Sequence, residues 1–210
     1  MTADTPIAEE KTVFIVDDDE AARESLSWLI SSVGLKVETF ASARDFLDAF
    51  DRSRPGCLLV DVRMPGMSGL ELQRRLESEP GCLPVIIVTG HGDVQMAVRA
   101  MKDGAFDFFE KPFNDQVLLD LVSRAVRECE RRRDAQKERM AVQARCDQLT
   151  PRERQVMDMI VAGKTNKQIA YDLDISDKTV EAHRAKVMDK LEAASLADLI
   201  RKAMLLAAPS

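Results

Sequence analysis

Val13-Phe14-Ile15-Val16-Asp17-Asp18 is a short apolar run that ends in two carboxylates. Apolar runs of this length, separated by helical patterns, are typical of buried strands in a parallel sheet. Asp61, Thr89 and Lys111 each follow a further run of this kind. In open α/β sheets, ligands bind at the edge where the strands have their carboxyl ends. The sequence therefore predicts three carboxylates, a hydroxyl and an ammonium group at one edge of one sheet.

Helical patterns alternate with these runs, and Lys36–Phe40 supplies a further strand. N-terminal capping signals begin the helices. Asp19 and Glu20 cap the first helix, which should run to Val33. Ser68-Gly-Leu-Glu71 is a capping-box pattern, and the helix that it starts should end near Glu79-Pro80-Gly81. This alternation predicts an α/β doubly wound sheet of five strands. We favour the flavodoxin-like strand order 2-1-3-4-5, in which Asp17 and Asp61 follow neighbouring strands. The predicted helix starts are Glu20, Ser42, Ser68, Asp93 and Asn114.

Composition excludes several classes of protein. The chain has 210 residues, 45% hydrophobic and 31% charged, with a net charge of −6. No apolar run approaches the ~20 residues that cross a bilayer, and residues 1–11 lack the apolar core of a signal peptide. We therefore expect a cytoplasmic protein with no membrane segment. The cysteines have no CxxC spacing and are expected to be reduced structural thiols; they are Cys57, Cys82, Cys129 and Cys146.

The chain changes character after about residue 127. Residues 128–139 are mostly charged and lack Gly and Pro, and the apolar residues of this region keep no heptad register. We expect a solvated linker helix that acts as a semi-rigid spacer, although its arginines could instead contact DNA or a partner. The predicted organisation is a flexible tail over 1–10, an α/β domain over 11–127, the linker over 128–148 and a final domain over 149–210.

The final domain should be an all-α bundle of four short helices. Thr150-Pro-Arg-Glu153 combines an N-cap, a proline at the first helical position and a capping-box glutamate. Thr165, Ser176 and Ser195 cap the next three helices. The tight turn Asp174-Ile-Ser176 predicts a helix-turn-helix.

The acidic edge suits phosphoryl chemistry. Mg²⁺, or Mn²⁺ in its place, takes oxygen ligands, and Asp17, Asp18 and Asp61 can supply them. Asp61 stands alone on the central strand and is the best candidate for a nucleophile that forms an aspartyl phosphate. Thr89 and Lys111 can then bind phosphoryl oxygens. The spacing Asp17-x-Asp19 also permits a phosphatase of the haloacid-dehalogenase type, with Asp17 as its nucleophile.

Four motifs together resemble a response-regulator receiver over about residues 11–127. They are Val16-Asp-Asp18, Asp61-Val-Arg-Met-Pro-Gly-Met-Ser-Gly69, Val88-Thr-Gly-His-Gly-Asp93 and Glu110-Lys-Pro-Phe113. The resemblance implies phosphotransfer from a sensor histidine kinase to Asp61. It also implies a metal held by Asp18, Asp61 and the backbone carbonyl of Arg63, with Asp17 close by, often through water.

The same resemblance implies further features of this edge. Thr89 and Phe108 occupy the positions of the paired hydroxyl and aromatic switch residues. A cis peptide bond is expected before Pro112, since X–Pro is the bond at which the cis form costs little. Arg63 and His91 flank the site and could tune the lifetime of the phosphoryl group.

The last part of the chain resembles a LuxR-type four-helix DNA-binding domain of the FixJ branch. Leu149-Thr-Pro-Arg-Glu-Arg154, Lys164-Thr-Asn-Lys-Gln-Ile-Ala170 and Ser176-Asp-Lys-Thr-Val-Glu-Ala-His183 carry this resemblance. It implies a regulator that binds double-stranded promoter DNA, with RNA polymerase as a further partner.

A helix from Ser176 to Leu191 would place Val180, Val187 and Leu191 inside and a small, partly basic face outside, which suits a major groove. Glu181, Ala182 and Ala185 are candidates for base contacts. A surface helix with scattered charge is the alternative. The candidates for phosphate or other DNA contacts are Lys164, Asn166, Lys167, Lys178, Thr179, Arg184 and Lys186.

Phosphorylation is expected to reshape a face built from the fourth helix, the fifth strand and the fifth helix. In related receivers this face forms a homodimer, and here it would include Val98, Met101, Lys102 and Phe106. The three apolar residues of this set could equally belong to the core. Release of a masked DNA-binding domain is an alternative mechanism, and a constitutive DNA-binding protein with a structural receiver is another. Apart from its own phosphorylation and dephosphorylation, the chain is not expected to be an enzyme.

Overall fold

The computed structural model describes residues 11–77, 83–90 and 92–207. The chain divides into two compact units between Arg133 and Asp134. Several sequence predictions lie outside the described residues, namely the tail over 1–10, the helix end near Glu79, Cys82 and His91. In the part of the chain that is described, no helix is long and apolar enough to span a membrane.

The first unit is built on a parallel sheet with the predicted order, β2-β1-β3-β4-β5. Val16 pairs with Val60 across β1 and β3, so the residues that follow them, Asp17 and Asp61, lie side by side. The run before Lys111 predicted a strand from Phe106, and β5 begins one residue later, at Asp107. The strands are β1 (Thr12–Val16), β2 (Lys36–Phe40), β3 (Gly56–Val60), β4 (Val85–Thr89) and β5 (Asp107–Glu110).

The helices of this unit begin where their caps predict. The side chains of Asp19, Ser42 and Asp93 accept hydrogen bonds from backbone N–H groups in the first turns of α1, α2 and α4. α1 ends two residues before the predicted position, within the usual variation of helix ends. The helices are α1 (Glu20–Ser31), α2 (Ala43–Ala49), α3 (Gly69–Glu77), α4 (Val94–Lys102) and α5 (Asp115–Cys146), of which α5 runs on into the second unit.

Helices cover both faces of the sheet because successive strand residues point to opposite sides. Phe14 and Leu58 face one layer, where α2, α3 and α4 contribute buried residues such as Phe46 and Leu72. The alternate strand residues, such as Ile15, face α1 and the first part of α5. The apolar runs are therefore buried throughout, which keeps the strand ends in fixed positions at the polar edge.

The second unit has the predicted bundle of helices within its described residues. Both predicted capping boxes are present, at Thr150 with Glu153 and at Thr165 with Gln168. Asp174 adopts a left-handed conformation (φ 52°) at the end of α7, and Ser176 then caps α8, which forms the helix-turn-helix. The helices are α6 (Pro151–Val161), α7 (Asn166–Leu173), α8 (Asp177–Lys190) and α9 (Leu196–Ala207).

The segment expected to be a solvated linker is exposed in its middle, over residues 134–138, and buried towards both ends. Cys129, Val142 and Cys146 on α5 are all at most 2% exposed. Val142 and Cys146 join the core of the second unit, which also contains Val156, Ile169 and other apolar residues of α6–α9. The end of α5 is therefore a packed part of this unit.

Candidate functional site

The acidic edge of the sheet brings Asp17 and Asp61 together, as the strand order predicts. The Asp61 backbone N–H donates to the Val16 carbonyl at 2.9 Å, which continues the pairing of β1 and β3 beyond the strands. Asp17 is 3% exposed and Asp61 is 9% exposed, whereas Asp18 is exposed. Two of the three predicted carboxylates are therefore largely removed from water.

Lys111 lies between these two carboxylates. Its Nζ donates to Asp17 Oδ2 at 2.8 Å and lies 3.7 Å from Asp61 Oδ1. The Lys111–Pro112 peptide bond is cis, as the resemblance to receivers predicted. An ammonium group at this position offsets the mutual repulsion of two neighbouring acids. It also provides positive charge where a phosphoryl group on Asp61 would need it.

Opposing effects act on the Asp61 carboxyl. Burial raises its pKa above the ordinary value, and the negative charges of Asp17 and Asp18 act in the same direction. The Arg63 backbone N–H, which donates to Asp61 Oδ2 at 2.6 Å, and the Lys111 ammonium partly counter this rise in pKa. Because burial has the largest effect, the charged form of Asp61 is penalised in the folded protein.

The carboxylates at this edge are possible ligands for a hydrated divalent cation. Within the described ranges, no group of three or more His, Cys, Asp or Glu side chains is arranged as a metal site. Asp17 and Asp61 form a pair around Lys111, and Asp18 is exposed beside them. Mg²⁺ keeps several waters and binds through one or two carboxylates, so this pair with adjacent solvent fits it.

Gly69 packs against the backbone of Asp61, a role that the sequence did not predict. Its N–H donates to the Val62 carbonyl at 3.1 Å, and a Cβ at this position would overlap the Asp61 carbonyl oxygen. The capping box predicted at Ser68 with Glu71 is present and starts α3 at this point. One sequence signal could have indicated this role. Gly69 directly follows a helix-cap residue, at a position where other side chains are well tolerated, so a glycine there suggests a close contact.

Thr89 and Phe108, the predicted switch pair, lie on neighbouring strands. Thr89 is 1% exposed at the end of β4, and Phe108 on β5 is half-buried opposite Ile87. A Cβ on Gly92 would lie 3.0 Å from Phe108 Cε1 and Cζ and 3.5 Å from Thr89 Cγ2. The loop after β4 therefore packs closely on this pair, and Gly92 is a second site residue that sequence reasoning missed.

The predicted dimer face is only partly a surface. Val98 and Met101 on α4 are 48% and 47% exposed, and Lys102 is exposed beside them. Phe106 is half-buried and packs against the core cluster that α5 covers, with the Arg124 guanidinium 6.0 Å from its ring centroid. Phe106 belongs mainly to the core because it begins the approach to β5, where alternate side chains turn inward.

The helix α8 has the two faces that its sequence predicts. Val180, Val187 and Leu191 are at most 1% exposed, and His183 and Arg184 are half-buried at the border. The exposed residues of the outer face are Lys178, Thr179, Glu181, Ala182, Ala185 and Lys186.

Two of the predicted DNA-contacting residues in this unit bind each other. Arg184 Nη1 donates to Asn166 Oδ1 at 3.0 Å, which joins α8 to the start of α7. Lys164, which precedes α7, forms an ion pair with Asp172 of that helix at 2.6 Å. Lys167 on α7 is exposed. The pair of Arg184 and Asn166 leaves the amide N–H groups of Asn166 facing away from the arginine, as donors to another partner.

Comparison with protein families identifies both units. Residues 13–123 match the response regulator receiver domain, and residues 147–203 match the bacterial regulatory proteins of the luxR family. The chain is 46% identical over 192 residues to the transcriptional regulatory protein FixJ of Bradyrhizobium diazoefficiens, covering 91% of this chain and 94% of that protein. It is 44% identical over 189 residues to the response regulator protein TodT of Pseudomonas putida, covering 90% and 83%.

Solved structures give the same result. The response regulator StyR is 43% identical with a TM-score of 0.79, over 93% of this chain and 98% of that one. Full-length FixJ from B. japonicum is 43% identical with a TM-score of 0.56, over 96% and 99%. The chain therefore belongs to the response regulators of the FixJ type, which join a receiver to a LuxR-type DNA-binding domain, and it is a transcriptional regulator of a two-component system.

Proposed function

We propose that Asp61 accepts a phosphoryl group from a sensor histidine kinase and that this controls binding of promoter DNA by α8. The observation that carries the proposal is the buried Asp61 carboxylate, with Lys111 Nζ 3.7 Å from its Oδ1. Oδ2 accepts the Arg63 N–H, so Oδ1 is the oxygen that attacks phosphorus. The bond from phosphorus to the kinase histidine breaks as the new P–O bond forms.

Neighbouring residues support Asp61 over Asp17 as the nucleophile. Asp17 Oδ1 accepts the Asp19 backbone N–H at 3.0 Å, and Asp17 Oδ2 accepts the Lys111 ammonium at 2.8 Å. Both oxygens of Asp17 are therefore engaged, which disfavours the phosphatase alternative. Asp17 instead holds Lys111 in place, and Lys111 stabilises the negative charge on the phosphoryl oxygens.

A divalent cation is part of the proposal. Asp18, Asp61 and the Arg63 carbonyl would hold Mg²⁺ or Mn²⁺, with Asp17 close by through water, and the cation would neutralise charge between carboxylate and phosphate. The Thr89 hydroxyl would then bind a phosphoryl oxygen, and Phe108 would change its packing against the loop that contains Gly92.

The output step follows from the exposed face of α8. Lys178 and Lys186 place positive charge on a face that also carries the small side chains of Ala182 and Ala185, so the helix can approach a major groove closely. Lys167 and the Asn166 amide would contact phosphates at the start of α7. Dimerisation through Val98, Met101 and Lys102 would place two such helices on two half-sites, and recruitment of RNA polymerase would follow.

The DNA step can be tested with duplexes selected from a random pool by the phosphorylated wild-type protein. We expect Lys178→Ala and Lys186→Ala to weaken binding and to reduce the salt dependence by about one phosphate contact each. Lys137→Ala, which removes an exposed lysine from α5, is the matched control and should bind like wild type. Equal affinities for the control and the α8 variants would contradict the assignment of this face.

A further inference from the structure

Gln73 is a buried polar residue on α3 whose other buried side chains are mostly apolar. It is 1% exposed, and its Nε2 donates to the carbonyls of Ala100 and Asp103, both at 2.9 Å. These two carbonyls belong to the last turn of α4 and its C-terminal cap. Gln73 therefore supplies hydrogen bonds to carbonyls at the end of α4, and the Ala100 carbonyl also accepts the Ala105 N–H at 3.0 Å.

The orientation of the Gln73 amide follows from its partners. Both are carbonyl oxygens, which only accept hydrogen bonds, so the nitrogen of the amide must face α4. Oε1 then points to the opposite side, where it is buried without a hydrogen-bond partner. A buried acceptor without a partner destabilises the fold. The two hydrogen bonds from Gln73 Nε2 to α4 therefore form at the expense of an unsatisfied Oε1.

A second contact joins the same two helices. Glu77 lies one helical turn after Gln73, and its side chain packs against Gly104, which follows α4 with a φ of +91°. A Cβ on Gly104 would lie 2.5 Å from Glu77 Oε1, at the end of a flexible side chain, so it is the left-handed φ that favours glycine here. Glu77 therefore lies against the turn that ends α4, while the hydrogen bonds to this turn come from Gln73.

Apart from these contacts, α4 packs through Ala100 and through Met96, which is half-buried against the core cluster that contains Phe14 and Leu58. Ala100 is its buried residue, whereas Val94, Val98 and Met101 are 80%, 48% and 47% exposed. At the other end of the helix, Asp93 accepts the Met96 N–H as the N-cap. Since little of α4 is buried, the bonds from Gln73 have a large share in fixing its position.

The same helix α3 also reaches the phosphorylation site. Gly69, its first residue, packs directly against the Asp61 carbonyl. Gly69 and Gln73 are four residues apart, so they lie on the same face of α3. A displacement of the Asp61 backbone therefore acts on α3 within one turn of the residue that holds α4.

We propose that Gln73 is a positioning residue that holds the C-terminal end of α4 in the unphosphorylated protein and releases it when Asp61 is phosphorylated. The α4 face that contains Val98 and Met101 then becomes free to move. This inference rests on the proposed phosphorylation of Asp61, and it adds the residue through which the receiver controls α4.

Hydrogen exchange of the full chain, with and without acetyl phosphate and Mg²⁺, tests the proposal. In Gln73→Met, which keeps the side-chain length but removes the donor, the amides near residues 99–105 should exchange roughly tenfold faster without phosphate. Phosphorylation should raise exchange there in wild type and add little in the variant. Leu76→Ala is the control, since it weakens the packing of α3 without touching the α4 carbonyls.

Three results would overturn the role of Gln73. The first is that the amides of residues 99–105 exchange no faster in Gln73→Met than in Leu76→Ala. The second is that phosphorylation of wild type leaves the exchange rates of α4 unchanged. The third is that phosphorylation raises these rates in Gln73→Met by as much as it does in wild type. Intact mass recorded on the same samples shows separately whether Asp61 was labelled, so failure of the proposed function is distinguished from failure of this inference.

Discussion

Gly69 shows how one backbone position determines the geometry around Asp61. A Cβ there would overlap the Asp61 carbonyl oxygen and would lie 3.0 Å from Val60 Cγ2. We expect Gly69→Ala to lower the free energy of unfolding by about 1–3 kcal/mol, because the loop and β3 must separate. It should also slow phosphorylation of Asp61. Urea unfolding and the rate of labelling by acetyl phosphate measure the two effects.

Gly90→Ala is the matched control for this prediction. Gly90 is exposed and an added Cβ would meet nothing within 4 Å, so the substitution adds the same methyl group without an overlap. An equal loss of stability in Gly69→Ala and Gly90→Ala would contradict the role assigned to Gly69.

Glu153 makes the stability of the second unit depend on pH. Its carboxylate is buried and accepts from Lys190 Nζ at 2.6 Å and from the Thr150 N–H at 2.9 Å, which lowers the pKa to about 2 from an ordinary value of 4.5. A lowered pKa adds stability that is fully present above the pKa of the unfolded chain. That stability is lost as the pH falls from 4.5 towards 2.

We therefore expect the stability difference between wild type and Glu153→Gln to narrow as the pH falls below 4.5. The limiting slope for one proton is about 1.4 kcal/mol per pH unit. Urea unfolding of both proteins at a series of pH values measures it, with circular dichroism to confirm that the helices are still formed. A difference that stays constant over this range would show that the carboxylate is not held by Lys190.

At the scale of single elements, the cap of α6 can be tested directly. The Thr150 side chain accepts the Glu153 N–H at 3.3 Å while Glu153 accepts the Thr150 N–H. Thr150→Ala should lower the free energy of unfolding by about 1 kcal/mol, whereas Thr150→Ser should keep most of the wild-type stability. The midpoint of urea unfolding checks both. Equal losses in the two variants would mean that the hydroxyl is not what stabilises this helix start.

The elements also show what can be predicted from sequence. Caps such as Asp19, Ser42 and Thr165 act within one turn, so their residue types predicted the helix starts correctly. The buried strands followed from unbroken apolar runs for the same local reason. Gly69 and Gly92 were missed because their importance comes from residues that are distant in sequence, which a single chain does not indicate.

The helix α5 illustrates the same limit in a different way. Its charged middle is exposed, as predicted, whereas Cys129, Val142 and Cys146 on either side of it are buried. Their burial depends on which neighbours the fold supplies, and the weak apolar spacing gave no sign of them. For Phe106 the sequence left the dimer face and the core open, because an aromatic residue next to a strand has the same sequence signal in both environments; the residue is half-buried and packs on the core.

At the scale of the whole molecule, a receiver and a LuxR-type domain occur in one chain, and Asp61 is the point at which a signal would enter. Asp61→Asn should remain folded, because burial raises the pKa of this carboxyl and the neutral amide removes the penalty on the charged form. Asp48→Asn replaces an acid whose side chain is 75% exposed on α2 and serves as the control.

The central claim, phosphorylation of Asp61, is tested most directly by intact mass spectrometry after incubation with acetyl phosphate and Mg²⁺. Wild type and Asp48→Asn should each gain the mass of one phosphoryl group, and Asp61→Asn should gain none. Omission of the divalent cation should suppress labelling of wild type and of Asp48→Asn. Labelling of folded Asp61→Asn to the wild-type extent, or no labelling of folded wild type, would contradict the account.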